Sequence, residues 1–340
     1  MLLIMAKKVV HISDEARLAK YRQIINSIID SIRHGKLHRG DKLPSINGIA
    51  SEFSLSRDTV MLAFSELKAR GVVTSLPGIG YFVESTNVNI EEKICLLFDE
   101  FNAFKETIYN GFIQSLPDNT QVDIYFHHFN KRIFQSLLRD NASRYTLFVI
   151  LPGNLTDIEG VIGELPTEKV YIIDQLPANL SDIYPAVYQD FKKDIYNCLS
   201  SGVSLMLKYN HFVLVYPGGK EPVGFVDGFI QFCNENPDYS HEIINSFTNR
   251  SVKQGEVYIL PNDLDLVEVI KDANHQQLKI GEDIGIISIN DIPLKEVILG
   301  GVTTISTDFD QMGRTIAHMV INQQKGQVRN PSRLIVRNTL

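Results

Sequence analysis

Cysteine is scarce in this 340-residue sequence: there are three, Cys95, Cys198 and Cys233, far apart and each inside an apolar run. They form no C-x-x-C pair, so a disulfide framework and the common zinc sites are excluded, and the thiols read as small buried hydrophobes. Long hydrophobic runs are missing as well. The opening MLLIM is five apolar residues followed by Lys7 and Lys8, too short for a spanning helix or a signal-peptide core. A soluble cytoplasmic chain is expected. The nine histidines are scattered, and the one adjacent pair, His127 and His128, would point to opposite faces of a strand. No metal site, cofactor or catalytic residue is expected.

Hydrophobic residues make up 44% of the chain, enough over 340 residues for two ordinary domains with their own cores. The net charge of -7 conceals a division. Residues 1–84 carry 12 Lys and Arg against 8 Asp and Glu, whereas the rest carries 21 against 32. A small basic module is therefore joined to a larger acidic one, and a basic module is an electrostatic footprint for phosphate backbones.

Within the basic module, Tyr21, Ile24, Ile25, Ile28, Ile29 and Ile32 recur at three- and four-residue steps and predict one amphipathic helix ending at Gly35. Turn residues follow in GKLHRGDKLPS, and Ser45 is placed to cap a short helix that buries Ile49, Ala50 and Phe53. Ser56 is placed to cap a third helix whose inward positions are Val60, Ala63, Phe64 and Leu67 and which stops at Gly71. VVTSLPGIGYFVE then reads as two short strands around Pro77, Gly78 and Gly80. Three helices and a glycine-tipped hairpin make a winged helix-turn-helix, with the third helix placed to enter the major groove by its N-terminal turn. An arginine there, Arg57, can pair with guanine, while short hydroxyls and the helix N-terminus suit phosphate. Lys68 and Arg70, at the far end of this helix, read as solvated.

These residues resemble the GntR family of bacterial transcription regulators over about residues 17–84, in the ordered set GDKLPS, SRDTV, ELKARGVV and PGIGYFV. By position, the resemblance implies DNA contacts at Ser45 and Asn47 in the second helix, at Ser56, Arg57, Asp58, Thr59 and Met61 in the third, and at Pro77 and Gly78 in the wing. Asn47 and Met61 stand where the family often carries a charged group.

A polar linker is expected over 85–91, and beyond it the pattern changes. KICLLF, VDIYF, TLFVILP, KVYIID, HFVLVYP and DIGIISI are short β-rich runs separated by helical segments, which predicts α/β architecture with parallel sheets covered on both faces. Two lobes are expected over 92–340. Ligands of such sheets bind beyond the carboxyl ends of strands, so Asp99 to Phe104, Asp174, Gln175, Asn262, Asn290 and Thr307 are the residues to inspect. Amides, carboxylates and aromatic rings suit a polyol, although Asn and Asp at strand ends are also ordinary helix caps.

The order of these elements resembles the LacI-type effector domain, itself similar to periplasmic sugar-binding proteins, and does so best in VYILPNDLDLVEVI, GEDIGIISINDIPLKE and TTISTDFDQMGRTIAHMVI. The resemblance implies ligand contacts at Phe101, Asn102, Phe104, Asp174, Gln175, Asn262, Asn290 and Thr307. Before the Gly224-Phe225 pair, where the family often places an arginine, the sequence has Lys220. A GntR reader on a LacI-type sensor is the arabinose-repressor type of architecture. It implies a homodimeric repressor of carbohydrate-utilisation genes that binds double-stranded operator DNA and is released by a monosaccharide. Purines, amino acids and phosphosugars are the other effector classes. The scarcity of Lys and Arg at the mapped positions favours a neutral ligand. A pyridoxal-phosphate enzyme domain and an Asp99/Asp174 glycosidase pair are the enzymatic alternatives.

Overall fold

The computed structural model describes residues 9–13, 18–88 and 92–340. The MLLIM segment and residues 89–91 of the expected linker lie outside the described residues. Helix α1 (Lys20–Arg33) buries Ile24, Ile25, Ile28, Ile29 and Ile32, each contributing about 1.5–3 kcal/mol of gross burial. Helices α2 (Ile46–Glu52) and α3 (Arg57–Ala69) carry the predicted Ser45 and Ser56 caps, which accept hydrogen bonds from the Gly48 and Thr59 amides at 3.0 and 3.1 Å. Strands β1 (Val73–Leu76) and β2 (Gly80–Val83) pair antiparallel to form the wing. Val60, Ala63, Phe64 and Leu67 close the core beneath α3 as predicted, and Val9, Val10 and Val88 pack into that same core from the flanks.

The remainder folds into two lobes. In the first, strands β3 (Glu92–Phe98), β4 (Thr120–Phe126), β5 (Leu147–Ile150), β6 (Val170–Asp174) and β7 (Ala186–Tyr188) alternate with helices α4 (Ala103–Gln114), α5 (Lys131–Asn141) and α6 (Glu159–Ile162). The second lobe runs through α7 (Phe191–Ser201), α8 (Val203–Met206), β8 (His211–Val215), α9 (Gly224–Glu235), β9 (Ser240–Ile244), β10 (Glu256–Leu260), α10 (Asp263–His275), β11 (Gly285–Ile289), α11 (Pro293–Val297) and β12 (Thr303–Ser306). The chain then returns to the first lobe as α12 (Phe309–Ile321) and β13 (Gln327–Arg329), and ends in the second with β14 (Arg333–Ile335).

The first sheet has the order β13-β7-β6-β5-β3-β4 with every pairing parallel. The second has the order β14-β12-β11-β10-β8-β9, and only β14 runs antiparallel. The central strands of both sheets are buried on two faces, which is why β3, β5, β6, β8, β10 and β11 are largely apolar. The chain crosses between the lobes at 189–190, 307–308 and 330–332. Helix α12 is held against α4 at glycine contacts: a Cβ on Gly313 would lie 2.2 Å from the Ile108 carbonyl oxygen, and one on Gly111 would lie 2.5 Å from that of Asp310.

Candidate functional site

On the winged helix, the residues that could face DNA are on the surface. Ser45, Asn47, Ser56, Arg57, Asp58, Met61, Pro77 and Gly78 are exposed, and Thr59 is half-buried with its hydroxyl 2.8 Å from that of Ser56. The cap fixes the first turn of α3, so Arg57 and Asp58 project from a rigid support whose free amides favour anions. Lys68 reaches the wing, its Nζ donating to Ser75 Oγ at 3.4 Å. Arg70 is not solvated, contrary to the sequence reading. Its side chain is 7% exposed and pairs with buried Glu66 at 2.5 Å and with Glu92 of β3 at 3.9 Å. The periodicity of α3 could not reveal this, because Glu92 belongs to the next domain.

Between the lobes lies a cleft of about 370 Å³, at the small end of the range of small-molecule sites. Six of the eight sequence-predicted contacts line it: Asn102, Phe104, Asp174, Gln175, Asn262 and Asn290. Asn102 and Asn262 also cap α4 and α10, accepting from the Lys105 and Leu264 amides at 3.1 and 2.8 Å. Phe104 presents its ring beside Phe309, with centroids 4.9 Å apart. Asp174 and Asn290 both have left-handed backbones (φ 70 and 63) where their strands turn into the cleft. The Asn290 carbonyl is held at 2.8 Å by the buried ammonium of Lys295, which also bonds the Ile289 carbonyl and Asp263.

Two predicted contacts fall elsewhere. Phe101 is 60% exposed and packs edge-on against Phe126 outside the cleft. Thr307 is buried at a lobe crossing, donating to the Asn330 carbonyl at 2.9 Å and accepting from Asn330 Nδ2 at 2.6 Å. The strand-end rule located Thr307 correctly along the chain, but a crossing segment ends that strand, and its polar groups are consumed in holding the crossing.

The cleft also contains residues beyond the eight expected contacts, among them Asp99, which the strand-end rule had marked for inspection. Asp99 and Lys105 form a buried ion pair on its floor. Gln189, at another crossing, donates to Asp174 at 2.5 Å and accepts from Ser332, so the ligand face and the crossings share one hydrogen-bond network. Lys220, Glu221 and Phe225 enter from the second lobe, and inspecting the end of the HFVLVYP run would have pointed to the first two. Burial raises the Asp174 carboxyl above its ordinary range, against the pull of Lys105. Burial likewise pushes Glu221 up to about 7 despite neighbouring Lys220. The loop carrying these two residues bridges the lobes. Asn154 Nδ2 donates to the Gly219 and Glu221 carbonyls at 3.0 and 2.8 Å, and Lys220 pairs with Glu100 at 3.0 Å. Gly218 and Gly219 are consecutive left-handed residues (φ 74 and 66), a conformation that side chains resist and that lets the loop fold back over the cleft.

Away from the cleft, His211, Glu242 and Glu256 gather their ligand atoms within 4.8 Å. The Arg250 guanidinium already serves both carboxylates there, at 2.5 and 2.9 Å. Among the described residues, no helix is long and apolar enough to cross a membrane.

Comparison with known proteins agrees with this geometry. The family of bacterial regulatory proteins called gntR matches residues 20–83, and a periplasmic binding protein-like domain matches residues 213–340. The mannosyl-D-glycerate transport/metabolism system repressor MngR of Escherichia coli is 36% identical over 80 residues, covering 24% of this chain and 33% of that protein. The arabinose metabolism transcriptional repressor of Geobacillus stearothermophilus is 38% identical over 69 residues, 20% of this chain and 19% of the relative. The matches thus span a third or less of these relatives. Among solved structures, a transcription regulator from Staphylococcus saprophyticus superposes with a TM-score of 0.59 at 15% identity, covering 73% of this chain and 97% of the other. A LacI family regulator from Enterococcus faecium, solved with bound ribose, gives 0.56 at 17% identity, covering 73% and 98%. Residues 20–83 are a gntR-type helix-turn-helix domain, and the chain beyond it carries a two-lobed periplasmic-binding-protein-like domain with the fold of LacI family regulators.

Proposed function

We propose that this protein is a DNA-binding transcriptional repressor of carbohydrate-utilisation genes, released from its operator when a monosaccharide binds the interlobe cleft. The observation that carries this reading is the cleft itself. It is a small cavity at strand carboxyl ends, with amides and carboxylates from both lobes beside the Phe104 ring, the chemistry of polyol recognition. Support also comes from relatives named as repressors of mannosyl-D-glycerate and arabinose metabolism. The division of labour is between a reader in residues 1–84 and a sensor in residues 92–340, joined through 85–91. A homodimer on a pseudo-palindrome fits a small major-groove reader, since two half-sites multiply specificity. The chain acts in the cytoplasm by binding and not by catalysis; its Asp99 is neutralised by Lys105 and is not a free carboxylate nucleophile.

Operator DNA selected from a random library, followed by sugar-dependent release, tests the proposal. Arg57→Ala is expected to weaken specific operator binding by about 1–3 kcal/mol while sugar affinity stays at the wild-type value. Operator affinity indifferent to every sugar that binds the cleft would sink the repressor reading.

A further inference from the structure

Resting on the sensor reading, we infer that Glu221 sets the charge of the molecule this cleft accepts, admitting neutral and amine-bearing polyols and excluding sugar acids and sugar phosphates. The cations of the cleft are already committed. Lys105 is paired with buried Asp99, Lys220 with Glu100 at 3.0 Å, and adjacent Lys295 with Asp263 at 2.8 Å and two backbone carbonyls. No arginine or histidine is among the lining residues described. An anionic ligand would therefore have to break an ion pair to obtain a countercharge.

The carboxylates are in the opposite condition. Asp174 is buried with only the Gln189 amide on its side chain, and the Glu221 side chain has neither a hydrogen bond nor an ion pair among the described residues. The Glu221 backbone cannot swing away, because its carbonyl accepts from Asn154 Nδ2 at 2.8 Å and from the Tyr216 hydroxyl at 2.9 Å. A half-buried carboxylate on a fixed backbone at the meeting of two lobes accepts hydroxyl or ammonium donors and repels an incoming anion.

The charged groups facing Glu221 are Lys220 on its own loop, Glu100 and Lys105 of the first lobe, and Asp263 at the start of α10. The selectivity depends on pH, because burial brings the Glu221 carboxyl up to about 7. Above that value the charge is present and anions are rejected; at pH 6 the group is mostly protonated and rejection weakens.

The test is titration calorimetry on the full chain with arabinose, ribose, glucose, galactose and fucose, with glucosamine and galactosamine, and with glucuronate, galacturonate and glucose 6-phosphate. At pH 8 the neutral and amino sugars that bind are expected to outbind the corresponding acids by about tenfold or more. In Glu221→Gln that gap should shrink to within about threefold, and in Glu221→Lys it should reverse. Lowering the pH to 6 should narrow the gap between the neutral sugars and the uronates, which stay ionised, in the wild type and leave it unchanged in Glu221→Gln, with a wild-type far-ultraviolet circular dichroism spectrum showing that the variants are folded. A uronate or sugar phosphate that binds the wild type as tightly as its neutral parent overturns the inference, as does a gap unaltered by Glu221→Gln. If no member of any charge class binds, the sensor reading falls, and this inference with it.

Discussion

Glu221 has a second effect, on the stability of the ligand-free chain. Its carboxyl titrates near 7 when folded and near the ordinary value of 4.5 when unfolded, so between those values the folded state holds more protons. Stability contributed by this group is therefore lost as pH rises from about 4.5 through 7. Glu221→Gln should raise the melting temperature at pH 8, by an amount equivalent to about 1–2 kcal/mol after allowance for solvent, and should have no effect at pH 4. Equal shifts at both pH values would contradict this. Single residues were unevenly legible from the sequence. Asn102, Asn262 and Asp174 follow a local rule, that polar residues just past an apolar run stand at the ligand end of a strand. Thr307 obeys no local rule, since its partner Asn330 lies 23 positions away along the chain, and the burial of Arg70 with its i,i+4 partner Glu66 depends on Glu92, 22 positions on.

At the level of elements, α4 and α12 meet at backbone distance. The added methyl of Gly313→Ala would press on the Ile108 carbonyl from 2.2 Å. Relief requires the helices to separate and strip contacts from Phe112, Met312 and Ile316 in the core beneath. A loss of about 1–3 kcal/mol in unfolding free energy is expected from overpacking of this kind, measurable by urea denaturation; a variant as stable as the wild type would show that α12 can shift freely. The apolar strands β3, β5, β6, β8, β10 and β11 were readable because both faces of a parallel sheet are covered. The three-residue strands β7, β13 and β14 and the half-buried edge strand β9 were not. Their residues are short or polar, and they become strands only through pairing with distant neighbours.

For the whole molecule, the decisive contacts are those that join the lobes. Asn154 holds two carbonyls of the 216–223 loop, and Gln189 and Ser332 connect Asp174 to the crossings. Ligand bound in the cleft can thus bias lobe closure, and effector coupling is typically about 1–3 kcal/mol, a 5- to 150-fold change in operator affinity. Asn154→Ala removes two cross-cleft bonds without touching the reader. It should weaken sugar affinity by about 1–2 kcal/mol and leave sugar-free operator binding intact, which paired titrations of sugar and operator will check. The change from a helix-turn-helix region to an α/β region was legible because charge changes after residue 84 and periodicity beyond residue 92; the contact between the two through Arg70 and Glu92 was not, since it is made only by the folded chain.

The three crossings have a practical corollary for anyone building chimaeric sensors. The first lobe takes α12 and β13 from the last part of the chain, after the second lobe has been almost completed, so neither lobe is a contiguous cassette. Transplanting one lobe to alter ligand preference requires three simultaneous junctions, at 189–190, 307–308 and 330–332. A premature stop before residue 309 removes α12 and β13 from the first lobe and β14 from the second while sparing every element of the winged helix.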